Sequence, residues 1–141
     1  MKFTPKTEEE LNPLLQDGTW DFEVIKAEAK LSKSGNEMIH ILVKVWDMNG
    51  TSSIVNDYLI SSILYKVRHF CYGTGLEQHY ENGDLSDVMC VGRTGKCKGK
   101  IEKDKTGQYP DKNIIVDYLE KADAASKEKN AKDEFDDDIP F

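Results

Sequence analysis

From Thr19 onward the chain alternates apolar and polar residues with the period of a strand that buries one face: Trp20, Phe22 and Val24 on one side, Asp21 and Glu23 on the other. After Ile25 the apolar phase moves to Ala27, Ala29 and Leu31. A phase change inside one long strand predicts a bulge, which bends the strand enough to serve two sheets or close a barrel. Ser32-Lys33-Ser34-Gly35-Asn36 reads as the turn that follows. Met38–Asp47 is the clearest strand, with Ile39, Ile41, Val43 and Val45 on its core face and His40, Leu42, Lys44 and Trp46 on the other. Asn49-Gly50 is a strong hairpin signal. Thr51–Leu59 then returns as a third strand, with Val55, Asp57 and Leu59 opposite Ile54, Asn56 and Tyr58.

The period next lengthens to that of a helix. Ile63, Leu64, Val67, Phe70 and Cys71 share one face of a helix capped by Ser61 or Ser62, running to about Tyr72 and stopped by Gly73. Residues 73–87 read as irregular, and the apolar run Val88–Val91 precedes a basic strand around Lys96–Lys103. A loop over Asp104–Lys112, with Gly107 and Pro110, leads into a last strand at Asn113–Leu119. Ahead of the first strand, residues 1–17 read as an extension whose Leu11, Leu14 and Leu15 form a short helix or cover. From Lys121 the periodicity disappears. The expected organisation is one domain over residues 1–120 and a flexible acidic tail over 121–141. The order strand, strand, strand, helix, strand, strand makes it all-β with one helix, the connectivity of an OB-fold, a five-stranded partly open barrel. Other small β-rich folds share these local patterns.

Composition narrows the function. Apolar runs are too short to cross a bilayer, and the start Met1-Lys2-Phe3-Thr4-Pro5 leads into Glu8-Glu9-Glu10, which does not read as a signal peptide. A cytoplasmic location is expected. Cys71, Cys90 and Cys97 are odd in number and irregular in spacing, which argues against a disulfide framework. A zinc site drawn from His69, Cys71, His79, Cys90 and Cys97 has poor ligand spacing, so no metal is expected. The chain has no phosphate-cradling glycine loop with its lysine, no nucleophile elbow and no paired acid-histidine arrangement. A non-enzymatic protein without a cofactor is the expectation.

The net charge of −7 is unevenly spread. Residues 121–141 hold four lysines against seven carboxylates, and residues 93–105 hold six cations against two, a local +4. Binding unpaired strands requires cations that follow the phosphates and flat side chains on which bases stack. Lys44 and Trp46 share a strand face, and Lys96, Lys98 and Lys100, preceded by Arg93, align on another. Gly95, Cys97 and Gly99 between those lysines suggest close approach of a ligand to the backbone. The two loops that flank the cleft of this fold bring Lys33, with Lys105 and Tyr109, and Tyr58 is a further candidate for stacking. Each has a plainer reading as packing or solvated surface. Trp20 and Phe22 are expected to be structural.

The last residues, Asp136-Asp137-Asp138-Ile139-Pro140-Phe141, join an acidic run to an apolar tip. This ending closely resembles the C-terminal tip of bacterial single-stranded DNA-binding proteins. The resemblance implies that these six residues recruit replication, recombination and repair enzymes. The stretch Gly18–Gly35 and the later Gly73-Thr74-Gly75-Leu76 are similar, more loosely, to phage-encoded single-stranded DNA-binding proteins. The resulting expectation is a protein that coats single-stranded DNA, possible as a homo-oligomer, and docks partners through its tip. The alternative is an adaptor or inhibitor that imitates the host tip to capture replication proteins without binding DNA.

Overall fold

The first strand bends where its apolar phase changes. In the computed structural model, which describes residues 1–120, β1 (Gly18–Leu31) pairs with β2 (Glu37–Trp46), and the register shifts between Val24 and Lys26 around Ile25. Before the bulge β1 also pairs with β4 (Thr94–Glu102), from Gly18↔Gly99 to Glu23↔Thr94. One strand therefore serves two halves of the sheet. With β3 (Ser52–Ile60) beside β2 and β5 (Lys112–Tyr118) beside β4, the sheet is antiparallel and open, in the order β3-β2-β1-β4-β5. The hairpin turns on Gly50 at φ +84°, while Asp47 Oδ1 accepts the N–H groups of Asn49 and Thr51.

Among the described residues four short helices accompany the sheet, where one was expected after β3 and a short helix or cover ahead of β1: α1 (Glu8–Leu11), α2 (Leu64–Thr74), α3 (Glu77–Glu81) and α4 (Asp87–Cys90). Neither Ser61 nor Ser62 caps α2. The Ser61 N–H donates to Glu37 O and so prolongs the strand pairing, and the helix begins after Ile63. Gly73 does not end it either. Gly73 lies inside α2, where a Cβ would overlap the Leu119 carbonyl, and the stop is Gly75, at φ +85°. The supposedly irregular stretch holds α3, whose start follows from buried Leu76.

The inner face of the sheet is the core. Trp20, Phe22 and Val24 meet Ile41, Val43, Val45, Val55, Leu59 and Cys97, with Phe70, Cys71, Leu76 and Cys90 closing from the helices. Phe22, Phe70 and Tyr118 form a ring cluster with centroids 5.1–6.2 Å apart. Gly99 is on this inner face: an added Cβ would overlap the Trp20 ring, and one at Gly95 would come within 3.1 Å of the Phe22 ring. The close approach predicted at these glycines is thus made by core aromatics.

Between edge strands β3 and β5 the seam is bridged by side chains. Asp57, buried on β3, accepts from Tyr118 Oη at 2.6 Å and from Lys66 Nζ at 2.7 Å, and Lys66 Nζ also donates to Ile115 O at 3.2 Å. The N-terminal segment crosses the same seam. Asn12 Oδ1 accepts from Ser53 Oγ and Ile54 N, and Leu15 N–H and O pair with the Asn113 carboxamide, each at 2.8 Å. Leu15 is buried, which contributes roughly 1.5–3 kcal/mol toward holding this latch in place. Of the three leucines predicted to cover the domain, Leu11 and Leu14 remain exposed.

All three cysteines are free and buried. Loss of solvation pushes the Cys71 thiol up to about 11 and the Cys90 thiol up to about 12, and raises Cys97 further. Because the unfolded thiols ionise first, the unfolded chain binds fewer protons above pH 9 and stability falls as pH rises from there. The expected loss at pH 10 is about 1 kcal/mol per thiol, read as a falling denaturation midpoint between pH 8 and 10. Cys→Ser variants that kept the full alkaline loss would remove thiol burial as its cause.

Candidate nucleic-acid interface

Residues that alternate inward to the core leave their neighbours on the outer face, and the hairpin register sets them in cross-strand rows. His40 faces Tyr58, Leu42 faces Asn56, Lys44 faces Ile54 and Trp46 faces Ser52. The His40 and Tyr58 rings stack at 4.7 Å and 17°, and His40 Nε2 lies 2.7 Å from Asn56 Oδ1. The Lys44 ammonium sits 5.3 Å from the Trp46 ring centroid. Tyr58 keeps 41% of its surface exposed and Ile54 36%, so the β2–β3 face offers flat and apolar surface to solvent beside a cation. The rows include three of the predicted residues, Lys44, Trp46 and Tyr58.

The basic strand stands apart from them. Lys96, Lys98 and Lys100 alternate with inward Cys97 and Gly99, as expected, but β1 runs between β4 and β2 and sets Asp21 and Glu23 between them on the same outer side, with Lys26 and Glu28 further along it. Along the row Trp46–Asp21–Lys96 an acid separates the aromatic from the cation, and Lys96 Nζ is paired with Asp21 Oδ1 at 2.7 Å. Lys98 and Lys100 are exposed. Arg93 points elsewhere: its Nε donates to Met89 O at 3.1 Å and a terminal nitrogen to Thr74 O at 3.2 Å, so it ties α4 to the end of α2.

The two loops extend the face at opposite ends of β1. Lys33 is exposed in the turn closed by Ser32 N–H to Asn36 O, which follows the last residue of β1. Lys105 and Tyr109 are in the loop between β4 and β5, beyond the start of β1, where Gly18 pairs with Gly99. This loop has its own brace. Asp104 Oδ2 accepts from Thr106 Oγ1, Gln108 N and Tyr109 N, and these bonds, the Thr106 hydroxyl foremost, lower the carboxyl below its ordinary value. Tyr109 is held with 70% of its surface exposed.

His40 and Asn56, in adjacent rows and joined across them, were not among the predicted site residues. The turn signal alone did not give these rows, since a hairpin centred between Asn49 and Gly50 would set His40 opposite Leu59, whereas the observed one is centred on Asn49 and sets it opposite Tyr58. The tip residues Asp136, Asp137, Asp138, Ile139, Pro140 and Phe141 lie outside the described residues. Among the described residues no group of three His, Cys, Asp or Glu side chains is placed to hold a metal ion, and no helix is long and apolar enough to cross a membrane. In comparison with known proteins, no family model matches the chain and no curated protein is significantly similar to it.

Proposed function

We propose that the chain binds single-stranded DNA in replication, recombination or repair, and draws partner enzymes to it through Ile139, Pro140 and Phe141. The observation that carries this reading is the outer face of β2 and β3, where Trp46 with Lys44, and Tyr58 with His40, present rings beside a cation. The sheet order supports an OB-type barrel: β1 is shared by both halves, α2 lies between β3 and β4 in the chain, and Asp57, Tyr118 and Lys66 bridge β3 to β5. That barrel type uses the β2–β3 face and the loops after the first and fourth strands. The ending Asp136-Asp137-Asp138-Ile139-Pro140-Phe141 supports the recruiting role by its resemblance to the bacterial tip.

Titration of a labelled poly-dT oligomer, paired with the same length of duplex, tests the reading. The expected result is binding to the single strand alone, weakening with salt by about 0.7 in the log–log slope for each phosphate neutralised. The acids Asp21, Glu23 and Glu28 on the same side favour a second reading, an adaptor that captures tip-binding proteins without DNA. Failure to bind either nucleic acid in dilute buffer would select it.

A further inference from the structure

At the end of the sheet remote from the N-terminal latch, the core is left open. The inner phase of β1 passes from Trp20, Phe22 and Val24 to small Ala27 and Ala29, and the space this leaves opens as a groove of about 860 Å³. Its walls include Leu31, Ile39, Leu64, Val67, Tyr80 and Leu85. Leu31 and Leu64 expose 68% and 56% of their surface. Around the rim Glu37, Glu81, Asp84 and Asp87 face a single cation, Lys30. Glu81 is tied to Arg68 and the Tyr72 hydroxyl, and Asp87 to the Ala29 and Val88 N–H groups, whereas the Glu37 and Asp84 carboxylates have no partner among the described residues. An apolar groove with a negative rim selects an apolar segment that carries positive charge.

The chain contains such a segment. In residues 1–6 Met1, Phe3 and Pro5 alternate with Lys2, Thr4 and Lys6, so an extended conformation sets the apolar side chains on one side and both cations on the other. Pro5 favours that extended conformation at Thr4. Met1 and Phe3 are fully and 72% exposed, and neither lysine has a partner among the described residues. The arm leads away from Asn12, which is fixed to Ser53 and Ile54 at the start of β3, whereas the groove lies by Leu59 and Ser61 at its end. The anchor of the arm and the groove are therefore at opposite ends of β3. We infer that residues 1–6 of one copy dock in the groove of a second copy. Such a contact is heterologous, so it joins copies head to tail into rows.

The inference does not depend on DNA and is tested without it. A labelled synthetic peptide of residues 1–7 is titrated onto the full chain at low salt. Binding is expected to weaken about ten-fold when Glu37→Lys and Asp84→Lys are combined in the chain, and by a similar factor with Phe3→Ala in the peptide. Both rim residues are exposed, so the variant keeps its fold, which circular dichroism checks. In sedimentation the full chain should associate with rising concentration, and Phe3→Ala should abolish this. A peptide that fails to bind, binds regardless of both changes, or is displaced by a peptide of Asp136–Phe141 overturns the inference. A chain that stays monomeric at every concentration does the same.

Discussion

Asp57→Ala is expected to destabilise the domain by about 3–5 kcal/mol, the range for removing one partner of a buried ion pair. Three consequences combine. Lys66 Nζ, whose side chain is only 14% exposed, loses its counter-charge and keeps the Ile115 carbonyl and the face of the Tyr118 ring. The Tyr118 hydroxyl, whose ring packs edge-on against the Phe22 and Phe70 rings, loses its acceptor. The β3–β5 seam then depends on the N-terminal latch, where Asn12 and Leu15 make neutral hydrogen bonds of about 1 kcal/mol each. For a domain of this size the loss corresponds to a fall of roughly 12–20 °C in the thermal midpoint. Tyr118→Phe keeps the ring and should cost only about 1–2 kcal/mol. Denaturant titration separates the cases. An Asp57→Ala midpoint within 1 kcal/mol of the parent would mean that burial alone closes the seam.

Asp57 also marks where the sequence was legible and where it was not. Strand alternation placed it on one face with Val55 and Leu59, and that face is the inner one. What alternation does not carry is its partners, which come from positions 9 and 61 residues away. The bulge at Ile25 was legible because a local phase change has a local cause. The end of α2 was not, because Gly73 and Gly75 look alike in sequence. One is required by the approach of Leu119, a distant contact, and the other by its own backbone angle. The candidate face divides in the same way. Lys44 and Trp46 were placed correctly on one side of β2, since period two is a property of the strand itself. That Asp21 and Glu23 would come between them and the β4 lysines depends on β1 lying at the centre of the sheet, which is a property of topology. Arg93 shows the limit most plainly: a cation beside a basic run is, in three dimensions, a brace for two carbonyl groups.

The separation of the rings from the β4 lysines makes their contributions distinguishable. Trp46→Ala combined with Tyr58→Ala should weaken poly-dT binding by about 2–4 kcal/mol, roughly thirty- to a thousand-fold, because each base–aromatic stack contributes about 1–3 kcal/mol. Lys44 lies by the Trp46 ring and His40 covers one face of Tyr58, so the estimate falls below the full sum of two free platforms. Both side chains are on the outer face, and their loss should leave the denaturation midpoint nearly unchanged. The salt slope should not move, since no phosphate contact is removed. Lys98→Ala with Lys100→Ala should give the converse, a modest loss of affinity and a slope smaller by about 1.4. If the aromatic pair is silent while the lysine pair abolishes binding, the strand is held on the β4 side of Asp21 and the β2–β3 face has no part in it.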